Sequence, residues 1–215
     1  MTTWLFDYDL TLYGFDEAEV IGSLDRNITQ FLVTRFGLSL QDADAKRRGY
    51  CATYGTTLGG LRALHGIAPQ EYFDFIHGGE SLQLPKPNRT KREWLLGLPG
   101  RRLVFTNARR DWAQRGLESM QILDCFEDIL DIESFAWDSK PNPVVYAQVE
   151  SRLGCSGSEL IMIEDKAENL EPARKLGWRT VLVHPECVSA KVECDLKLPH
   201  LLDLNPSHYP LLGIP

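Results

Sequence analysis

The sequence predicts an α/β fold with a mostly parallel sheet and a helical insertion after the first strand. Two observations support this prediction. From residue 87 onward, short apolar runs typical of buried strands alternate with segments of helical spacing. Between residues 16 and 86, helical spacing dominates and strand-like runs are absent. We therefore expect one domain from residues 1–15 and 87–215, and a separate helical domain from residues 16–86.

The first strand is predicted over Thr3–Phe6, where an apolar run precedes two aspartates. The helical insertion follows, with apolar residues at three- and four-residue steps and with Gly37 and Pro69 at helix boundaries. Its four helices are expected at residues 21–36, 40–54, 57–64 and 69–76.

The remaining elements alternate between helix and strand, and such alternation predicts a parallel sheet with helices on both faces. Helices are expected at residues 90–96, 111–120, 142–153 and 170–176. Strands are expected at residues 102–105, 128–132, 160–163 and 180–183, with the last of these as the final clear strand.

Net charge, apolar runs and cysteine spacing exclude several classes of protein. The formal charge of -7 argues against a nucleic-acid surface, and no run approaches the ~20 apolar residues that span a bilayer. Five dispersed cysteines without a C-x-x-C pair are typical of reduced thiols in the cytoplasm. We expect a soluble, cytoplasmic protein, monomeric or homodimeric, that binds neither nucleic acid nor membrane.

Polar side chains cluster where the predicted strands end. Asp7 and Asp9 follow the first strand, Thr106-Asn107 follows a second and Glu164-Asp165 a third. The carboxyl ends of parallel strands meet at one edge of a sheet, where α/β proteins bind ligands. Lys140 lies just before a helix and can reach the same edge. Taken singly, these residues also fit turns, a helix cap and a solvated lysine.

Several carboxylates at one edge repel each other unless a hard cation lies between them. Mg²⁺ suits such oxygen ligands, whereas zinc sites are usually built with His or Cys, and the cluster contains neither. A carboxylate can act as a nucleophile towards phosphorus, and a second carboxyl two residues later can transfer the proton. Thr106 and Lys140 would hold the phosphoryl oxygens.

The set Asp7-x-Asp9-x-Thr11, Thr106-Asn107, Lys140 and Glu164-Asp165 resembles the four motifs of the haloacid dehalogenase (HAD) superfamily. The resemblance implies a Rossmann-like core, with the helical insertion as a type 1 cap. Within the superfamily, the stretches Phe6–Tyr13 and Tyr54–His65 are most similar to the pyrimidine 5'-nucleotidase branch.

The resemblance implies a role for each matched residue. Asp7 would be nucleophile and metal ligand, and Asp9 would be general acid and base with its backbone carbonyl on Mg²⁺. Thr106 and Lys140 would bind phosphate, with Asn107 as a lesser contact. Asp165 would be a direct metal ligand, and Glu164 a ligand or a contact through water.

Two positions depart from the family pattern. Leu10 stands where many members carry Asn or Gly, and Lys166 stands where a small residue is common. Lys166 either adds a cation beside the metal carboxylates or points to solvent, and it is not included in the predicted site.

The expected activity is hydrolysis of a phosphomonoester through an aspartyl-phosphate, with a nucleoside 5'-monophosphate, UMP or CMP, as substrate. The alternatives are another small-metabolite phosphatase, a phosphosugar mutase, a 2-haloacid dehalogenase and a non-catalytic binding protein on the same fold. Asp9 argues against the dehalogenase, because such enzymes need no acid for the leaving group. In the helical domain, Arg47-Arg48 and Tyr50/Tyr54 fit either a nucleotide contact or a solvated helix face.

Overall fold

A computed structural model of the chain describes residues 1–78, 82–187, 189 and 191–214. The chain divides into two compact units. The core unit comprises Met1–Glu17 and Pro85–Pro215, and the helical unit comprises Ala18–Leu84. Within the described ranges, the helices are too short or too polar to cross a membrane. All five cysteines are free thiols.

The core unit contains a six-stranded, all-parallel sheet in the order β3-β2-β1-β4-β5-β6. The strands are β1 (Thr3–Phe6), β2 (Arg101–Phe105), β3 (Ile129–Leu130), β4 (Leu160–Glu164), β5 (Arg179–Val183) and β6 (Leu196–Leu198). All four residues of β1 are buried between β2 and β4. The predicted α/β fold with a parallel sheet is therefore confirmed. Strand order reverses between β1 and β4, where sheets of this type open a crevice for ligands.

The described residues of the helical unit form four helices: α1 (Glu19–Phe36), α2 (Leu40–Tyr54), α3 (Thr57–His65) and α4 (Pro69–His77). Ser39 and Thr56 cap α2 and α3, since each hydroxyl accepts a hydrogen bond from a backbone N–H in the first turn. A side chain at Gly60 would come within 2.5 Å of the Tyr50 ring. Gly60 therefore allows α2 and α3 to pack closely.

Where the structure describes the core unit, it contains four further α-helices: α5 (Arg89–Gly97), α6 (Arg110–Ser119), α7 (Pro143–Leu153) and α8 (Ala167–Lys175). Pro143 begins α7, where its missing N–H costs no hydrogen bond, and Asn142 caps the same helix. Apolar side chains from these helices and the strands form a continuous core that includes Leu5, Phe105 and Tyr146.

Two strands differ from the predictions. The strand expected over residues 128–132 is only two residues long, because Ile132–Phe135 turns into a short 3-10 helix that Asp131 caps. The structure adds β6 beyond the strand that was expected to be last. This edge strand has three residues around Lys197, which is too short for the alternation that marks a strand in sequence.

Leu10 has a left-handed backbone, with φ of 60°, in the loop that follows β1. Such a conformation is unfavourable for leucine because of its Cβ, whereas Gly and Asn adopt it more readily. Leucine at this position therefore carries a backbone strain that Asn or Gly would relieve.

We predict that Leu10→Asn raises the free energy of unfolding by about 1 kcal/mol, because it relieves this backbone strain. Denaturant unfolding at 25 °C measures the change. Leu196→Asn is the control, since Leu196 is also partly buried but does not have a positive φ. Leu196→Asn should not raise the free energy of unfolding. The prediction would be contradicted if both substitutions lowered it equally.

Candidate active site

The predicted strand-end residues meet at one edge of the sheet. Asp7 follows β1, Thr106 follows β2, and Glu164 closes β4 with Asp165 directly after it. These three strands are neighbours and parallel, so their carboxyl ends lie side by side. The backbone N–H of Asp7 donates to the carbonyl of Ile163 at 2.9 Å, which extends the pairing of β1 and β4 to the site.

Lys140 joins the ends of these strands through its side-chain ammonium group. Nζ donates to Asp7 Oδ1 at 2.7 Å, to Glu164 Oε2 at 2.7 Å and to the carbonyl of Phe105 at 2.8 Å. An ammonium has three donors, and all three are used. Lys140 is 1% exposed. In this structure it binds the carboxylates, and contact with a phosphoryl oxygen would require exchange of one hydrogen bond.

Asn107 holds the backbone of Lys140 from both sides. Its Nδ2 donates to the carbonyl of Lys140 at 3.0 Å, and its Oδ1 accepts from the N–H of Lys140 at 2.8 Å. The amide thus sets the position from which Lys140 reaches the carboxylates. The resemblance implies that Asn107 is a lesser contact to substrate or phosphate, and this role stays a prediction.

Asp7, Glu164 and Asp165 form a buried carboxylate cluster, with one oxygen of each within 4.8 Å of the others. Thr11 Oγ1 donates to Asp165 Oδ1 at 3.5 Å, a long hydrogen bond between the β1 loop and the end of β4. Glu164 Oε1 accepts the backbone N–H groups of Asp165 and Lys166, each at 3.2 Å. Both oxygens of Glu164 therefore have partners within the protein.

Burial and mutual repulsion shift the pKa values of this cluster. Burial, followed by repulsion from Glu164, raises the pKa of Asp7 to about 7 although Lys140 opposes the rise. Burial and the neighbouring Glu164 and Asp7 also hold the pKa of Asp165 well above its usual value. Burial opposes ionisation of Glu164 too, but the attraction of Lys140 lowers its pKa below the ordinary range. Within the cluster, the attraction of Lys140 thus favours the charged form of Glu164.

The donor set fits a hard divalent cation. Three carboxylates face one ammonium, so the cluster carries more negative than positive charge when it is ionised. Carboxylate oxygens are preferred ligands of Mg²⁺. Asp7 and Asp165 are the best placed to bind it, because both Glu164 oxygens are already engaged. The expected contact through the backbone carbonyl of Asp9 stays a prediction.

Asp9 lies outside the carboxylate cluster, in a setting of its own. Its Oδ1 accepts hydrogen bonds from the Tyr13 hydroxyl at 2.7 Å and from Trp112 Nε1 at 3.2 Å. Burial raises the pKa of Asp9, and these two hydrogen bonds offset part of the rise. In the sequence, Tyr13 belongs only to the stretch that carries the family resemblance, and no sequence pattern marks Trp112 as a partner of Asp9.

Thr106 belongs to the predicted site, whereas Lys166 does not. The Thr106 side chain is buried, and its Oγ1 accepts the N–H of Ala108 at 3.0 Å, an interaction typical of a turn. Its phosphate role stays a prediction. Lys166 is exposed. Its positive charge opposes, to a minor degree, the rise in the pKa values of Asp9 and Asp165.

One family matches part of the chain. Residues 101–183 match the haloacid dehalogenase-like hydrolases. This segment runs from β2 to β5 and includes Thr106, Asn107, Lys140, Glu164 and Asp165.

Solved structures resemble the chain over nearly its whole length. A HAD phosphatase from Thermococcus onnurineus is 18% identical, with a TM-score of 0.63 over 94% of this chain and 95% of that one. YfnB from Bacillus subtilis, bound to magnesium, is 18% identical, with a TM-score of 0.64 over 99% of both chains. An L-2-haloacid dehalogenase from Xanthobacter autotrophicus is 20% identical, with a TM-score of 0.57 over 94% of this chain and 96% of that one. These likenesses show a shared fold.

We predict that Lys140→Met lowers the free energy of unfolding by about 3–5 kcal/mol, since it leaves buried carboxylates without their cation. Chemical denaturation without added metal measures the loss. Adding Glu164→Gln to this variant should restore part of the stability, because it removes one uncompensated charge.

Lys91→Met is the matched control. Lys91 is also buried, but its Nζ donates to the backbone carbonyl of Leu12 rather than to a carboxylate. Its loss should cost about 1–3 kcal/mol, the penalty for one unsatisfied acceptor. Equal losses for the two lysine variants would contradict the importance of the Lys140 ion pairs.

Proposed function

We propose that this chain is a haloacid dehalogenase-like hydrolase and, within that family, a Mg²⁺-dependent phosphomonoesterase. One observation carries the proposal: a second carboxyl, Asp9, lies two residues after Asp7 and is held by two hydrogen-bond donors. A nucleophile alone suffices for displacement of a halide, whereas an alkoxide leaving group needs a proton donor.

The reaction divides between the two aspartates. An Asp7 carboxylate oxygen attacks the phosphorus, the ester P–O bond breaks, and Asp9 gives its proton to the leaving oxygen. Water then attacks the phosphorus of the aspartyl-phosphate, and Asp9 takes a proton from that water. The bond between phosphorus and Asp7 breaks, which releases inorganic phosphate and restores both side chains.

The other residues position and neutralise these groups. Lys140 donates a hydrogen bond to Oδ1 of Asp7, which orients the nucleophile, and its charge lowers the pKa of Glu164. Thr106 and Lys140 are assigned to the phosphoryl oxygens, as the resemblance implies. When bound by Asp7 and Asp165, Mg²⁺ would neutralise charge on the phosphoryl group and on the carboxylates.

The proposed substrate is a nucleoside 5'-monophosphate, with UMP or CMP as the first choice. Two stretches of sequence support it, Phe6–Tyr13 in the core unit and Tyr54–His65 in the helical unit, both similar to the pyrimidine 5'-nucleotidases. Gly60, in the second stretch, is needed for packing in this protein, since the Tyr50 ring lies against it, and so it does not by itself indicate the substrate. The substrate assignment therefore depends on the other residues of the two stretches.

We predict that purified protein with Mg²⁺ releases inorganic phosphate from phosphomonoesters. The test panel is UMP, CMP, AMP, GMP, sugar phosphates and p-nitrophenyl phosphate, with 2-chloropropionate as a halide-release control. EDTA should abolish release and excess Mg²⁺ should restore it. UMP and CMP should exceed AMP and GMP in kcat/KM by at least about tenfold if the base is read by hydrogen bonds.

The outcomes separate the alternatives. Halide without phosphate would indicate a dehalogenase, and an isomeric phosphate ester without free phosphate would indicate a mutase. No product from any compound would indicate a binding protein. Phosphate release with sugar phosphates as the best substrates would keep the phosphomonoesterase and overturn the nucleotide assignment.

We predict that Asp7→Asn abolishes turnover and that Asp9→Asn lowers kcat by at least about 10²-fold, because each removes one chemical role. Steady-state kinetics with p-nitrophenyl phosphate and UMP measure both effects. Asp128→Asn is a control at a half-exposed aspartate that pairs with Arg110. Near-normal activity of Asp7→Asn in a folded protein would contradict the assigned nucleophile.

A further inference from the structure

Two aromatic side chains meet at one oxygen of Asp9. The Tyr13 hydroxyl and the Trp112 indole N–H both donate to Oδ1. We propose that Tyr13 and Trp112 are positioning residues, which fix the Asp9 carboxyl for its two proton transfers. This inference rests on the proposed function, since it concerns the proton donor of that reaction.

The two donors come from different parts of the core unit. Tyr13 lies four residues after Asp9, in the same loop, where the N–H of Leu12 donates to the carbonyl of Tyr8 at 3.0 Å. Trp112 lies in the first turn of α6, 103 residues away in sequence. Both side chains are fully buried. Asp9 is therefore held from two independent elements.

A third ring fixes the two donors. Tyr8 packs edge-on against Tyr13, with ring centroids 5.3 Å apart, and against Trp112, with centroids 6.5 Å apart. The rings meet at 76° and 82°, the edge-to-face arrangement that aromatic pairs prefer. Tyr8 thus sets the orientation of both rings that bind Asp9.

Gly116 makes room for this arrangement. A Cβ at Gly116, one turn after Trp112 in α6, would lie only 1.6 Å from the hydroxyl oxygen of Tyr8. Any side chain there would displace the Tyr8 ring, and with it the two donors. The cluster of Tyr8, Tyr13 and Trp112 therefore depends on a glycine in α6.

The two hydrogen bonds to Oδ1 favour one of the Asp9 oxygens as the carrier of the proton. An indole N–H can only donate, so Oδ1 of Asp9 must be an acceptor whether or not the carboxyl is protonated. A carbonyl-type oxygen accepts two hydrogen bonds better than a carboxyl O–H oxygen does, so the two contacts to Oδ1 favour Oδ2 as the oxygen that carries the transferred proton. Rotation of the carboxyl would break both hydrogen bonds, so the proton-bearing oxygen keeps one direction.

The test uses Tyr13→Phe and Trp112→Phe, each of which removes a donor and keeps an aromatic ring. We expect each to lower kcat for UMP by about tenfold while KM changes by less than about twofold, because substrate binding does not use these groups. With p-nitrophenyl phosphate, whose leaving group needs little protonation, a rapid-quench burst should show formation of the phospho-enzyme nearly unchanged.

Two control variants show whether loss of a buried hydrogen bond lowers activity in general. Tyr146 and Trp178 are also fully buried, and each donates one hydrogen bond away from Asp9, to the carbonyl of Asn169 and to Glu150. Tyr146→Phe and Trp178→Phe should keep kcat within about twofold. Thermal melting of all four variants verifies folding, and Tyr13→Phe carries the test alone if Trp112→Phe fails to fold.

A double-mutant cycle with Asp9→Asn separates positioning from a general structural effect. If Tyr13 acts through Asp9, Tyr13→Phe should cost less than about twofold in the Asp9→Asn background. An equal loss in both backgrounds, or a change confined to KM, would overturn the inference.

A crystal structure of Tyr13→Phe gives a readout that does not need turnover. The Asp9 carboxyl is expected to rotate or to occupy two conformers, and an unchanged carboxyl would overturn the inference. If the unaltered protein releases no phosphate from any ester in the panel, the proposed function fails, and the crystal structure still decides whether Tyr13 positions Asp9.

Discussion

The buried ammonium of Lys140 is the interaction on which the site depends. It contacts groups from three neighbouring strands: Asp7 after β1, the carbonyl of Phe105 in β2, and Glu164 at the end of β4. Without this cation, three carboxylates would share a buried pocket, and each would resist ionisation. The parallel strands bring the acids together, and the charge of Lys140 offsets their mutual repulsion. Asn107 holds the backbone of Lys140 in place.

The predictions from sequence succeeded where the signal is local. Thr3–Phe6 and Leu40–Tyr54 have the predicted bounds, because an apolar run and a helical period are visible in a few consecutive residues. The edge strand β6 was missed because three residues do not establish a pattern. The strand-end position of Asp7, Thr106 and Asp165 was also foreseen, since parallel strands share one carboxyl edge.

Side-chain contacts between distant positions were beyond the reach of such patterns. Trp112 reads in sequence as an ordinary apolar residue of an amphipathic helix, and only the folded chain brings its N–H to Asp9. Asn107 likewise reads as a turn residue, although its amide binds the Lys140 backbone. Proteins with this fold include a phosphatase and a dehalogenase, so the fold leaves the reaction open. The surroundings of Asp9 are therefore more informative about the chemistry than the sheet itself.

The close approach of Tyr8 to Gly116 couples two positions that lie far apart in the chain. An alanine at position 116 would also lie 2.6 Å from the ring carbon that bears the hydroxyl, so phenylalanine at position 8 would not relieve the clash. A substitution at one of these positions therefore depends on the residue at the other. A side chain can replace the hydrogen of Gly116 only if position 8 no longer carries an aromatic ring. Among related chains, an aromatic residue at position 8 should occur together with glycine at 116, which makes this pair a recognisable signature of the arrangement around Asp9.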